Sequence, residues 1–163
     1  MRAVFERPRL LRRILNLWPP FLFTGIRIEH LSEDYLKCRV GLRLRPWNRN
    51  ANGTHFGGSL FAMSDPIYPL MLMGVLGHRY LICDRAADIN FLKPGKGRVY
   101  AEFELTNQRI DEIRNATAGG EKYLPEFIIN VVDEEGDIVA TLRRTVYVRH
   151  KPWARKDPLK KAA

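Results

Sequence analysis

The chain has 163 residues, 45% of them apolar and 28% charged, which fits one ordinary globular domain and excludes disordered and fibrous classes. Its net charge of +9 sits in the two ends: residues 1–20 hold five Arg and one acid, 143–163 hold eight Lys or Arg and one acid, and 21–142 hold 14 bases and 16 acids. A nearly neutral body speaks against specific nucleic-acid binding and leaves the basic ends at most a weak contact with anionic lipid or RNA.

Cys38 and Cys83 are too few and too far apart for a disulfide framework or a zinc site, so the sequence reads as a reduced, cytoplasmic protein with no metal and no cofactor. The arginines at 2, 7, 9, 12 and 13 precede an apolar patch, as in a targeting signal. Pro19 and Pro20 interrupt that patch, and no small-residue cleavage pattern follows.

In chain order, Arg9–Trp18 has apolar residues at 10, 11, 14, 15, 17 and 18 and charge at 9, 12 and 13. This spacing predicts a short amphipathic helix, stopped by Pro19-Pro20, that packs on the domain as a lid or lies on a membrane surface. The organisation expected is an N-terminal helix over 1–20, a core domain over 21–150 and a basic tail over 151–163. Strands are predicted over Gly25–Leu31 and Tyr35–Leu44, joined by Ser32-Glu33-Asp34, a run of turn-forming residues. In the second strand Leu36, Cys38, Val40, Leu42 and Leu44 alternate with Lys37, Arg39, Gly41 and Arg43, the period of a half-buried strand.

A loop over Pro46–His55 leads into Phe56–Leu76, read as mainly helical and ended by Gly77. Asp65, Pro66 and Pro69 break this apolar run, so it is not read as a membrane span, which needs about 20 uninterrupted residues. Strands follow over Tyr80–Leu92 and Arg98–Thr106, then a polar helix over Gln108–Ala118 ended by Gly119-Gly120. The strands Glu126–Val132 and Ile138–Val148 flank Asp133-Glu134-Glu135-Gly136-Asp137, a hairpin signal. Adjacent strands with tight turns around one apolar helix predict an α+β fold with an antiparallel sheet.

Between Arg49 and Arg79, Asp65 is the only formally charged side chain if the histidines are neutral. Among Leu60, Phe61, Met63, Ile67 and Tyr68 it is expected to be desolvated, which would raise its pKa and suit it to act as a base. An equally ordinary role is the cap of a new helix begun by Pro66. Gly57-Gly58 opens the first helix, where unpaired N–H groups can hold a carbonyl oxygen or an anion. Eight residues of helix separate Gly57 from Asp65 by roughly 12 Å, too far for one small reacting group. A two-fold dimer sharing residues between chains would close that gap.

The run Gly57-Gly58-Ser59-Leu60-Phe61-Ala62-Met63-Ser64-Asp65 resembles the Gly-Gly-x-x-Phe-x-x-x-Asp segment of hotdog-fold acyl-CoA thioesterases of the phenylacetate-pathway type. The longer run Asn52–Pro66 is similar to a bacterial subgroup of that superfamily, DUF4442, and the similarity extends from about Gly25 through Arg149. The resemblance implies a hotdog fold, in which a curled antiparallel sheet wraps one long helix, and a dimer or dimer of dimers acting on acyl-CoA or another acyl thioester. It implies Asp65 as general base or nucleophile and the Gly57 N–H as oxyanion donor, with Gly58 supporting the turn. The family usually has His directly before the glycines, where this chain has Phe56 with His55 one place earlier, and Pro66 is a second departure. Asn50, Asn52, His55 and Phe56 are the remaining expected substrate-binding residues.

Two further readings stay open. One is a non-catalytic acyl or lipid binder in which Phe56 and Pro66 mark a lost site. The other is dehydration, which the ten residues from His55 to Asp65 disfavour because hotdog dehydratases space the pair more widely. Asp84 and Asp88 are expected in ion pairs, at a dimer seam or with Arg85. Met63, Met71 and Met73 are expected in the core or along a flexible acyl channel.

Overall fold

The computed structural model describes residues 2–151. The expected basic tail beyond residue 151, with Trp153, lies outside the described residues. Three helices open the chain: α1 (Arg2–Phe5), α2 (Pro8–Leu17) and α3 (Pro19–Thr24). The prolines at 19 and 20 thus do more than end α2. Proline is tolerated in a first helical turn, where its missing N–H has no intrahelical acceptor, and here it starts α3.

β1 (Ile26–Leu31) and β2 (Lys37–Arg43) form the first hairpin. Tyr35, expected to begin a strand, instead takes φ 62 inside the turn, with its ring buried and its hydroxyl donating to the Phe5 carbonyl at 2.8 Å. The expected alternation holds in β2: Cys38, Val40 and Leu42 are buried while Lys37, Arg39 and Arg43 are exposed.

The central helix is in two segments, α4 (Gly57–Ala62) and α5 (Ile67–Leu76). Neither Pro66 nor Pro69 can donate a helical hydrogen bond, so residues 63–66 tighten into turns in which the Ser64 and Asp65 N–H groups reach Phe61 O and Ala62 O. Gly77, at φ 72, ends α5 as expected. The whole stretch Gly57–Arg79 is long and apolar enough to cross a membrane by length and composition. Its buried residues explain that composition, because Leu60, Met63, Ile67, Tyr68, Met71, Leu72 and Leu76 form the middle of the core.

β3 (Tyr80–Phe91), β4 (Arg98–Glu104), α6 (Asn107–Thr117), β5 (Glu126–Asp133) and β6 (Ile138–His150) complete the fold. Gly136, at φ 90, closes the β5–β6 hairpin where the acidic turn was expected. All pairings are antiparallel, in the order β1-β2-β4-β5-β6-β3. This curled six-stranded sheet around a central helix is the hotdog fold. Its inner face supplies Val40, Val99, Ala101, Phe103, Ile129, Val131, Leu142 and Val146, and Tyr68 of α5 stacks on Phe127 at 3.9 Å.

The two sheet edges differ. Along β1, Asn16 of α2 exchanges two hydrogen bonds with the backbone of Ile28, at 3.0 and 2.7 Å, and Arg12 donates to the Glu29 carbonyl at 2.6 Å. These bonds satisfy backbone groups that an edge strand otherwise offers to another chain. Among the described residues β3 pairs only with β6, and most of its residues from Cys83 to Phe91 are exposed. Asn16→Ala removes both bonds to Ile28 and is expected to lower stability by about 1–2 kcal/mol with an unchanged m value in urea unfolding. No change would mean that α2 is held by apolar contacts alone.

Candidate functional site

Two neighbourhoods gather the expected residues. The first surrounds the start of α4. Asn50 organises its own loop: its amide donates to Thr54 Oγ1 at 2.9 Å and to the His55 carbonyl at 3.1 Å, and its Oδ1 accepts from the Asn52 and Thr54 N–H groups. The Asn52 side chain is exposed. His55 is only 3% exposed and its backbone N–H donates to Gly95 O at 3.0 Å. Neither of its ring nitrogens has a hydrogen-bond partner among the described residues. Burial pushes the imidazole below its ordinary value, opposed by the backbone of Gly97, so the neutral ring is favoured.

Phe56 is exposed and lays its ring over Gly58, while Phe91 of β3 sits where a Cβ on Gly57 would be, its ring tip 2.9 Å from that point. The bare glycine backbone therefore admits aromatic rings of this chain, where the sequence suggested room for a ligand. Beside them lies an open cleft of about 380 Å³, lined by Asn50, His55, Gly57, Leu60, Phe91 and Lys93 among others.

The second neighbourhood is the helix break. Asp65 is not the desolvated carboxylate expected: its side chain is 54% exposed. It is not a cap either, since α5 starts from Pro66 with no side-chain cap. Its partner is Arg144 of β6, whose side chain is 1% exposed. Arg144 Nη1 donates to Asp65 Oδ1 at 2.9 Å and lies 3.3 Å from Asp84 Oδ2. Its Nε donates to Ser64 Oγ at 3.1 Å, its Nη2 to the Phe61 carbonyl at 3.3 Å, and the guanidinium lies 4.8 Å from the Phe61 ring centre. Three elements thus converge on one buried cation.

Within the chain the expected partner of Asp84 was Arg85, a dimer seam being the other expectation. The structure gives it Arg144 instead, because a β-bulge between Asp84 and Ala86 leaves Arg85 out of the β3–β6 register. Beyond the bulge, Ala87 lies opposite Arg144, and Asp88 pairs with Arg143 at 3.9 Å. Burial pushes the Asp84 carboxyl up to about 6, against the pull of Arg144 and with a contribution from nearby Asp65.

Sequence reasoning missed Arg144, having counted it in the basic C-terminal end. Its signal was position: with Leu142, Val146 and Val148 it occupies the inward register of β6. A cation on that face must bring its own anions.

The chain's likenesses agree with this architecture. The hotdog-fold structures similar to it include a Pseudomonas aeruginosa protein of unknown function, described as "Probable Thioesterase", with TM-score 0.70 and 19% identity over 91% of this chain and 93% of that one. A Haemophilus influenzae thioesterase matches at TM-score 0.65 and 18% identity over 88% and 90%. A mutant of the phenylacetic acid degradation protein of Thermus thermophilus matches at 0.57 and 22% over 79% and 97%. At these identities the likeness shows the fold alone. No curated protein matches the chain.

Two outcomes are expected. Arg144→Met leaves Asp65 and Asp84, both partly open to solvent, together without their cation and lowers stability by about 1–3 kcal/mol, part of which returns when both acids are also changed to Asn; urea unfolding of the two variants reads this. Because the Asp84 carboxyl is raised from 3.8 to about 6, the folded protein holds a proton that the unfolded chain has released. Its contribution to stability is complete below about pH 4 and is lost as pH rises through about 6. The stability of Asp84→Asn, followed by urea midpoint against pH, lacks that decline. The family model for a domain of unknown function, DUF4442, matches residues 7–148, and the chain belongs to that family.

Proposed function

We propose that the protein hydrolyses an acyl thioester, most simply an acyl-CoA, at a site shared by two copies of the chain. The observation that carries this reading is the half-exposed carboxylate of Asp65, fixed by buried Arg144 beside the unpaired edge strand β3. Within one chain β3 touches both neighbourhoods: Phe91 lies against Gly57, and Asp84 shares Arg144 with Asp65. Antiparallel pairing of β3 with its copy about a two-fold axis brings the Gly57 end of one chain toward the Asp65 end of the other. That arrangement answers the separation of roughly 12 Å along the helix.

In this reading the Gly57 N–H, at the start of α4 with no intrahelical acceptor, polarises the thioester carbonyl. Asp65 takes a proton from water as the water oxygen bonds to the carbonyl carbon. The C–S bond then breaks and Asp65 returns that proton to the departing sulfur, giving a thiol and a carboxylic acid. Should Asp65 attack directly, water instead opens the resulting anhydride. Asn50 shapes the loop below the cleft, and Asn52, His55, Phe56 and Gly58 border the acyl group or its carrier. The free thiols of Cys38 and Cys83 fit a reducing cytoplasm.

A second reading, acyl binding without turnover, draws on the ion pair that occupies Asp65 and on the Phe56 and Phe91 rings over the glycines. One set of assays separates them. With a panel of acyl-CoAs, hydrolysis should appear and fall roughly 10²–10⁴-fold in kcat in Asp65→Asn. Gly57→Pro removes the N–H at a position that opens the helix, where Phe56 (φ −62, ψ 125) already suits a following proline, and its ring also displaces Phe91, an effect that Gly57→Ala, which keeps the N–H, controls for. Mixing Asp65→Asn with Gly57→Pro should restore about a quarter of wild-type activity, through mixed dimers with one intact site. Binding without turnover, unchanged by Asp65→Asn, would establish the binder.

A further inference from the structure

α2 has two apolar faces. One, with Leu11 buried and Leu15 half-buried, packs on the domain. The other carries Leu10, Ile14 and Leu17, spaced i, i+4 and i+7, all exposed, and runs on through Trp18 to Leu22 and Phe23 of α3. Leu17 and Phe23 are 70% and 72% exposed, the extreme among the exposed large apolar side chains. A lid needs only the inner face. The outer one is an apolar surface of six large side chains on consecutive helices, larger than scattered surface leucines would explain.

The charge around it is mostly positive. Residues 7–28 hold five arginines and no acid. Arg9 and Arg13 are exposed along one border of the Leu10–Ile14–Leu17 stripe, while Arg12 turns inward to β1. Glu33, which reaches Arg9 from the neighbouring turn at 2.7 Å, and exposed Glu6, beside Arg9 and Arg13, temper this field. From these observations we infer that the outer face of α2 and α3 docks the protein on an anionic lipid bilayer. Leu17, Trp18 and Phe23 would enter the headgroup–acyl boundary while the arginines meet lipid phosphates. Trp18, at the junction of the helices, has the apolar body and polar N–H of residues that settle at this boundary. A second copy of the chain is the poorer occupant. In a two-fold contact the same patch faces itself, so the arginine borders would oppose each other. Docking through α2 leaves the β3 edge free, so the proposal does not depend on thioester hydrolysis.

The test is co-sedimentation of the full chain with vesicles of phosphatidylcholine alone or with about 30% phosphatidylglycerol, at low and high salt. The expected result is binding to the anionic vesicles only, weakened by salt and reduced at least about tenfold in Leu17→Ser/Phe23→Ser. In a Trp47→Phe/Trp153→Phe background, Trp18 emission should shift to the blue and be quenched by brominated lipid. That readout keeps α2 intact and stands if the double serine variant misfolds. Absence of anionic-vesicle binding overturns the proposal. So does binding unchanged in the folded serine variant, which would place the contact in the basic C-terminal end. Loss of a larger oligomer in that variant, with vesicle binding retained, would assign the face to a second copy and also overturn it.

Discussion

A guanidinium taken out of water needs anions and acceptors around it, and Arg144 obtains them from two other parts of the chain at once. The helix break supplies Asp65, Ser64 and the Phe61 carbonyl. The bulged strand β3 supplies Asp84. β6 supplies the cation, in the middle of an otherwise apolar register. This one set of contacts explains why Asp65, at the break that Pro66 and Pro69 impose, faces Arg144 and does not cap α5. It also explains how a β-bulge comes to matter for a side chain on the next strand. Two carboxylates around one cation leave a net negative charge, and burial makes the more enclosed of them, Asp84, the harder to ionise.

The same contacts fix where chemistry is possible. Asp65 is held but half open, on the side of the molecule where β3 lacks a neighbour. At the other edge, α2 covers β1 with side chains that imitate a strand's hydrogen bonds. The sheet can therefore be extended on one side only, and the proposed shared site lies on that side. The cleft by Gly57 lies at the start of α4 and Asp65 in the break that follows it, and in the proposed dimer a second copy brings the two together.

The proposed membrane face points a different way. Acyl thioesters with long chains are amphiphiles, so a protein that rests on a bilayer by one surface and presents its β3 edge elsewhere would meet such a substrate where it partitions. The two surfaces use separate residues: Leu10, Ile14, Leu17, Trp18, Leu22 and Phe23 for one, Gly57, Asp65, Asp84 and Arg144 for the other. Each can fail without the other.

Much of the fold was legible in the chain. The period of two in β2, the acidic turn before Ile138 and the glycine after Leu76 each encode a local geometry, and local geometry follows from a few neighbouring residues. Asp65 could be singled out because a lone charge in an apolar run is unusual at any fold. Its surroundings could not, because Arg144 lies 79 residues away and meets it only when β6 crosses the helix break. The prolines at 19 and 20 read as a stop and proved to be both a stop and a start, and Asn50 read as a ligand residue is engaged by its own loop. The sequence by itself determined the strand and helix order, the apolar helix and the identity of the exceptional carboxylate. Tertiary structure alone decided which charges face one another, because register, bulge and helix break act together across distances that no local pattern records.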